Sequence, residues 1–151
     1  MAISAEHASH IRKVKVGFII SGDTLNPIIV TEQLNLEPDD TAQKGDERQN
    51  TLGQFLTPQT EGFWRIDTEN KVHSKDINDH LRYLLDRLLP HRDQILQLAQ
   101  KGETFFDVLW QSTYLYAGTG PFIDAENIQG IAKLQASIGF DIYQVDENEE
   151  N

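Results

Sequence analysis

The chain has 151 residues, 38% of them hydrophobic, which is enough for one domain with a continuous core. It contains no cysteine, so disulfide scaffolds, thiolate metal sites, iron–sulfur clusters and thiol catalysis are excluded. Lys+Arg number 13 against 24 Asp+Glu, and the resulting formal charge of -11 repels polyphosphates and argues against a nucleic-acid partner.

Lys13 to Ser21 alternates strictly, with Val14, Val16, Phe18 and Ile20 on one face, the period of a β-strand. Gly22-Asp23-Thr24 turns the chain. Asn26-Pro27 then supplies a helix cap followed by proline at the first helical position, where its missing N–H is no loss. Val30 and Leu34 share a face of this helix, and Pro38 predicts its end near Glu37. Asp39 to Thr60 is polar and reads as one long irregular segment, of a length that is usually functional or mobile.

A second strand is expected over Gly62 to Asp67, with Trp64 and Ile66 on one face and Phe63, Arg65 and Asp67 on the other. Ser74 reads as the cap of the strongest helix, whose Ile77, Leu81, Leu84 and Leu88 form a stripe. Pro90 predicts a kink, after which Ile95, Leu98 and Ala99 resume the helix until Gly102. Thr104 to Tyr116 is rich in aromatic and β-branched residues on both faces and reads as a central strand. Asp124 caps a last helix, with Ile128, Ile131 and Ile138 on its apolar face up to Gly139. Phe140 to Val145 forms the final strand before the acidic tail Asp146 to Asn151.

Strand, turn, helix and strand thus occur at 13–67 and again at 104–145. This pattern predicts an α+β domain of ferredoxin-like plan, a duplicated β-α-β with a mainly antiparallel four-stranded sheet and a kinked helix pair between the halves. The expected domain is residues 1–151, ordered over about 13–145, with a flexible N-terminal segment and tail. No run approaches the roughly 20 apolar residues of a membrane helix, and no secretory signal pattern opens the chain. The expected location is cytoplasmic, with no membrane partner.

Catalytic chemistry has little support in the pattern. His73, Asp76 and His80 would approach one another on a continuous helix, but a cap at Ser74 leaves His73 outside it, and acids belong in a first turn in any case. No metal site or other cofactor is therefore assigned. Ser21, Ser112 and Ser137 lack a nucleophile elbow, and His7 and His10 stand apart near the N-terminus. Gly118-Thr119-Gly120 lacks the lysine and length of a phosphate loop. Trp64, Trp110, Tyr114, Tyr116 and Tyr143 suit either core packing or a binding floor.

Several motifs together carry a resemblance: Gly22-Asp23-Thr24-Leu25-Asn26-Pro27, Thr31, Leu34 to Pro38, Lys44-Gly45, Gly62-Phe63-Trp64, the helix end Leu81 to Pro90, and Gly139-Phe140-Asp141-Ile142-Tyr143. In order and spacing, over about residues 13–145, the chain resembles the bacterial family called domain of unknown function 4279. That resemblance implies a small cytoplasmic α+β domain without established activity, and it transfers no catalytic residue. The leading expectation is a noncatalytic binding or interaction module. Lys44, Trp64 and Arg65, beside the 39–60 segment, would engage a protein or a small anionic ligand. One alternative is an acidic immunity-like or antitoxin protein that neutralises a basic toxin, and another is a hydrolase or transferase using carboxylates not recognisable from sequence. Homodimerisation through a sheet edge is also compatible with the architecture.

Overall fold

Alternation over Lys13 to Ser21 produces the strand it predicts, β1 (Ile11–Gly22), in a computed structural model that describes residues 9–115 and 120–148. His7, Tyr116 and Gly118-Thr119 lie outside the described residues. In chain order β1 is followed by α1 (Pro27–Leu34), β2 (Asp40–Ala42), β3 (Gly62–Asp67) and α2 (Ile77–Leu88). A 3-10 turn (Leu89–His91), α3 (Arg92–Ala99), β4 (Glu103–Ser112), α4 (Ala125–Lys133) and β5 (Ser137–Gln144) complete the domain.

The five strands form one sheet in the order β2-β3-β1-β4-β5. β1 pairs antiparallel with both β3 and β4, β2 pairs antiparallel with β3, and β4 pairs parallel with β5. The expectation of a four-stranded, mainly antiparallel sheet is therefore corrected to a five-stranded mixed one, and the ferredoxin-like duplication is not found. Two causes are visible. Part of the segment read as irregular forms β2, which runs parallel to β1 with β3 between them, so the first unit is a split β-α-β. In the second unit α4 returns the chain directly beside β4, giving an adjacent parallel pair. The two units share an order of elements but not a strand arrangement.

The helix ends follow local chemistry. Asn26 caps α1, its side chain accepting from the Ile28 N–H at 3.1 Å. α1 stops earlier than Pro38 requires, because Asn35 adopts a left-handed conformation (φ 49°) and its N–H bonds back to the Thr31 carbonyl. The cap of α2 is Asp76, which accepts from Asn78 N–H; Ser74 instead accepts from Asp76 N–H and donates to Asp79. Pro90 breaks the helix as expected, giving the 3-10 turn between α2 and α3. Asp124 caps α4, but Ile128 points outward and Ile138 belongs to β5, leaving Ile131 and Leu134 to enter the core.

The four helices named above contribute to one core on one face of the sheet. Val14, Val16, Phe18 and Ile20 of β1, Trp64 and Ile66 of β3, and Phe106, Val108 and Trp110 of β4 meet Val30, Leu34, Leu81, Leu84, Leu88, Ile95 and Ile131. Gly130 brings α4 hard against α2, since a Cβ there would lie 2.8 Å from the Leu85 side chain. Asn78 ties the starts of the two helices together, donating to the Phe122 carbonyl and accepting from the Asp124 N–H. Among the described residues, no helix covers the opposite face.

Candidate functional site

The uncovered face is the one on which Lys15, Gly17, Ile19 and Ser21 of β1 stand. Registry brings Phe63, Arg65 and Asp67 of β3, Phe105, Asp107 and Leu109 of β4, and Gly139, Asp141 and Tyr143 of β5 onto the same side. Ile19, Phe63, Phe105 and Leu109 give this face an apolar floor. With residues 59–62 as a rim, it forms a trough of about 740 Å³.

One row crosses the face from β3 to β5: Asp67, Gly17, Asp107 and Gly139. Gly17 makes a notch, and the Arg65 guanidinium fills it; a Cβ on Gly17 would lie 2.5 Å from Arg65 Cζ. From there Arg65 pairs with Asp67 at 3.4 Å and with Asp107 at 3.3 Å. The arginine is therefore held between two carboxylates over the middle strand. Lys13 and Lys15, further along β1, both bind Glu69 at 2.9 Å, and these contacts lower its carboxyl pKa to about 2.

The trough is acidic in balance. Two cationic side chains, Lys15 and Arg65, line it with the carboxylates of Asp40, Glu61, Glu103, Asp107 and Asp141, and a third, Arg48, lies over the Phe63 ring and pairs with Asp40; each of these cations already has a carboxylate partner. A small anion would meet net repulsion here, whereas a cation carrying apolar groups would find both a charge partner and a floor.

The three residues singled out from sequence do not assemble. Arg65 lies in the trough. Trp64 faces the other way, fully buried, with its indole N–H donating to Thr31 Oγ1 at 3.0 Å. Lys44 is exposed at the rim of the sheet and pairs with Asp23 at 2.5 Å. Among the other aromatics Trp110 is buried, while Tyr114 and Tyr143 are about half exposed. Sequence reasoning missed Gly17, Asp107, Gly139 and Asp141. The available signal was a charge or a glycine at the centre of a strand otherwise rich in large apolar residues.

His73, Asp76 and His80 do not form a ligand set. His80 is fully buried, and its Nε2–H donates to the Ser74 carbonyl at 2.7 Å. Its Nδ1 then accepts from the Thr68 hydroxyl at 2.7 Å, and that hydroxyl accepts from Val16 N–H. Both ring nitrogens are committed to folding, and this assignment requires the neutral ring. Burial accordingly lowers the His80 pKa from 6.5. Because the unfolded chain binds a proton more readily, the contribution of His80 is complete above pH 6.5 and is lost as pH falls through its lower folded value. Urea unfolding above and below that pH should show the decline, with an NMR titration of the His80 ring showing it still neutral below pH 6.5. A His80 ring titrating at or above the ordinary value would contradict the assignment.

The family model described as "Domain of unknown function (DUF4279)" matches residues 12–145. The chain belongs to the DUF4279 family. A comparison with curated proteins and with solved structures finds no match to it. The DUF4279 match spans every strand and helix described above except the first residue of β1, so the trough lies wholly within the family's own domain. Among the described residues of this DUF4279 domain, no helix is long and apolar enough to cross a membrane.

Proposed function

We propose that the DUF4279 domain is a noncatalytic interaction module whose uncovered sheet face binds a basic, partly apolar segment of another protein. The observation that carries this reading is the trough itself, an apolar floor ringed by carboxylates whose own cations are neutralised internally. The chain's charge of -11 adds long-range attraction for a basic protein and raises the rate of encounter. This favours an immunity-like or antitoxin role over recognition of a small anion. A hydrolytic reading has less support, because no histidine is among the described residues that line the trough and Asp67 and Asp107 are engaged by Arg65.

A synthetic peptide of alternating lysine and leucine is a direct probe, with an alternating glutamate and leucine peptide as its control. In an NMR titration the lysine peptide should shift the amides of Ile19, Phe105 and Leu109, and high salt should weaken the effect. The double variant Glu103→Lys with Asp141→Lys should bind it about tenfold more weakly or worse. An absence of shifts on this face, or equal shifts with the glutamate peptide, would overturn the proposal.

A further inference from the structure

Asp107 stands between two glycine notches. The notch at Gly17 holds the chain's own cation, Arg65, which reaches Asp107 from β3. On the other side of Asp107 lies Gly139, in register on β5, with open space around the position of its missing Cβ. β5 is the last strand of the sheet, so this second notch opens onto the edge. Asp141 flanks it two residues further along on the same face.

The edge is also open to hydrogen bonding. Val145 N–H bonds to the Ser112 carbonyl, and strand alternation then directs the N–H and C=O groups of Ile138, Phe140 and Ile142 away from β4. The two sheet edges differ in length. β2 has three residues, whereas β5 runs for eight without proline, lysine or a register shift. On the helix side of β5, Phe140 and Ile142 are 43% and 44% exposed, because α4 leans on α2 at Gly130 and not over this strand.

Resting on the reading above, we propose that the basic segment binds as an added strand on β5. Its lysine or arginine would sit in the Gly139 notch against Asp107 and Asp141, and its alternate apolar residues would pack on Phe140 and Ile142. An added strand lies about 4.8 Å from β5 and projects alternate side chains to the two faces, which matches this division into an acidic side and an apolar side. Charge selects the occupant. Asp141 is the only charged residue of β5, Asp146 and Glu147 follow it, and a second copy would bring another chain of -11.

The same titration separates the two claims. Saturating lysine–leucine peptide should slow amide hydrogen exchange at Phe140 and Ile142 by about tenfold or more. Methylating alternate backbone nitrogens of the peptide, which keeps its side chains, should abolish that protection. Gly139→Val adds bulk only to open space and adopts no left-handed backbone, so it should keep the melting temperature while weakening the peptide about tenfold. If Ile19, Phe105 and Leu109 shift but exchange at Phe140 and Ile142 stays unchanged, strand addition is overturned while the binding face stands. An absence of all shifts overturns both claims. Concentration-dependent protection of Phe140 and Ile142 in the free protein would assign the edge to a second copy and overturn the proposal.

Discussion

Trp64→Ala is expected to destabilise the domain by about 3–5 kcal/mol, the range for removing a buried large aromatic side chain. Trp64 is fully buried in the core, in register with Ile20 of β1, and its indole N–H donates to Thr31 of α1. Truncation opens a cavity between α1 and the sheet and removes the donor that holds the helix there. Urea unfolding should show a lower midpoint with a similar slope, and in a domain of this size the melting temperature should fall by on the order of 10 °C. Trp64→Phe should recover much of the packing but not the bond to Thr31. If Trp64→Ala kept wild-type stability and altered only partner binding, the assignment of this side chain to the core would be wrong.

The second large effect concerns a glycine that reads from sequence as a simple helix stop. Gly102 lies against the end of β1, and a Cβ there would fall 1.9 Å from the Ser21 carbonyl oxygen. The obstacle is backbone within the sheet, so relief requires moving β1 or the turn into β4. Gly102→Ala should therefore cost about 2–4 kcal/mol, read as a lowered urea midpoint. Gly139→Ala, which meets nothing within 4 Å, should change stability by less than about 0.5 kcal/mol. Equal stability of the two variants would contradict the close approach at Gly102.

The contrast between these glycines shows where the sequence was legible. Period-two patterns placed β1, β3 and much of β4, and the leucine stripe with Pro90 placed the broken helix pair. These signals are local, since each depends on neighbours a few residues away. β2 was not legible: three polar-to-small residues, Asp40 to Ala42, become a strand only because β3 offers them an edge. Strand direction was hidden for the same reason, as neither β4 nor β5 encodes which way its neighbour runs. Asn35 ended α1 ahead of Pro38 through a left-handed cap that no apolar periodicity reveals.

The binding face was harder still to foresee. Arg65 stands out in sequence, but the partners that give it meaning, Gly17 and Asp107, come from strands about 50 and 40 residues away and meet it only through registry. Trp64 is the neighbour of Arg65 in sequence, yet adjacent residues of a strand face opposite sides, and only the position of the helices shows which side is buried. Lys44 stands out in sequence because it lacks a structural reason, and Asp23 supplies one.

The placement of β1 bears on how the domain comes into being. Its two neighbours, β3 and β4, lie on either side of it in space but are both made later, and β4 ends at Ser112. A growing chain must therefore keep its most apolar strand unshielded along one flank until the residues up to Ser112 have been synthesised. Closure of that flank is a distant pairing that proceeds slowly compared with local helix formation. Fragments ending before β4 would carry a bare central strand and tend to aggregate, so the domain gains solubility and architecture in the same late step.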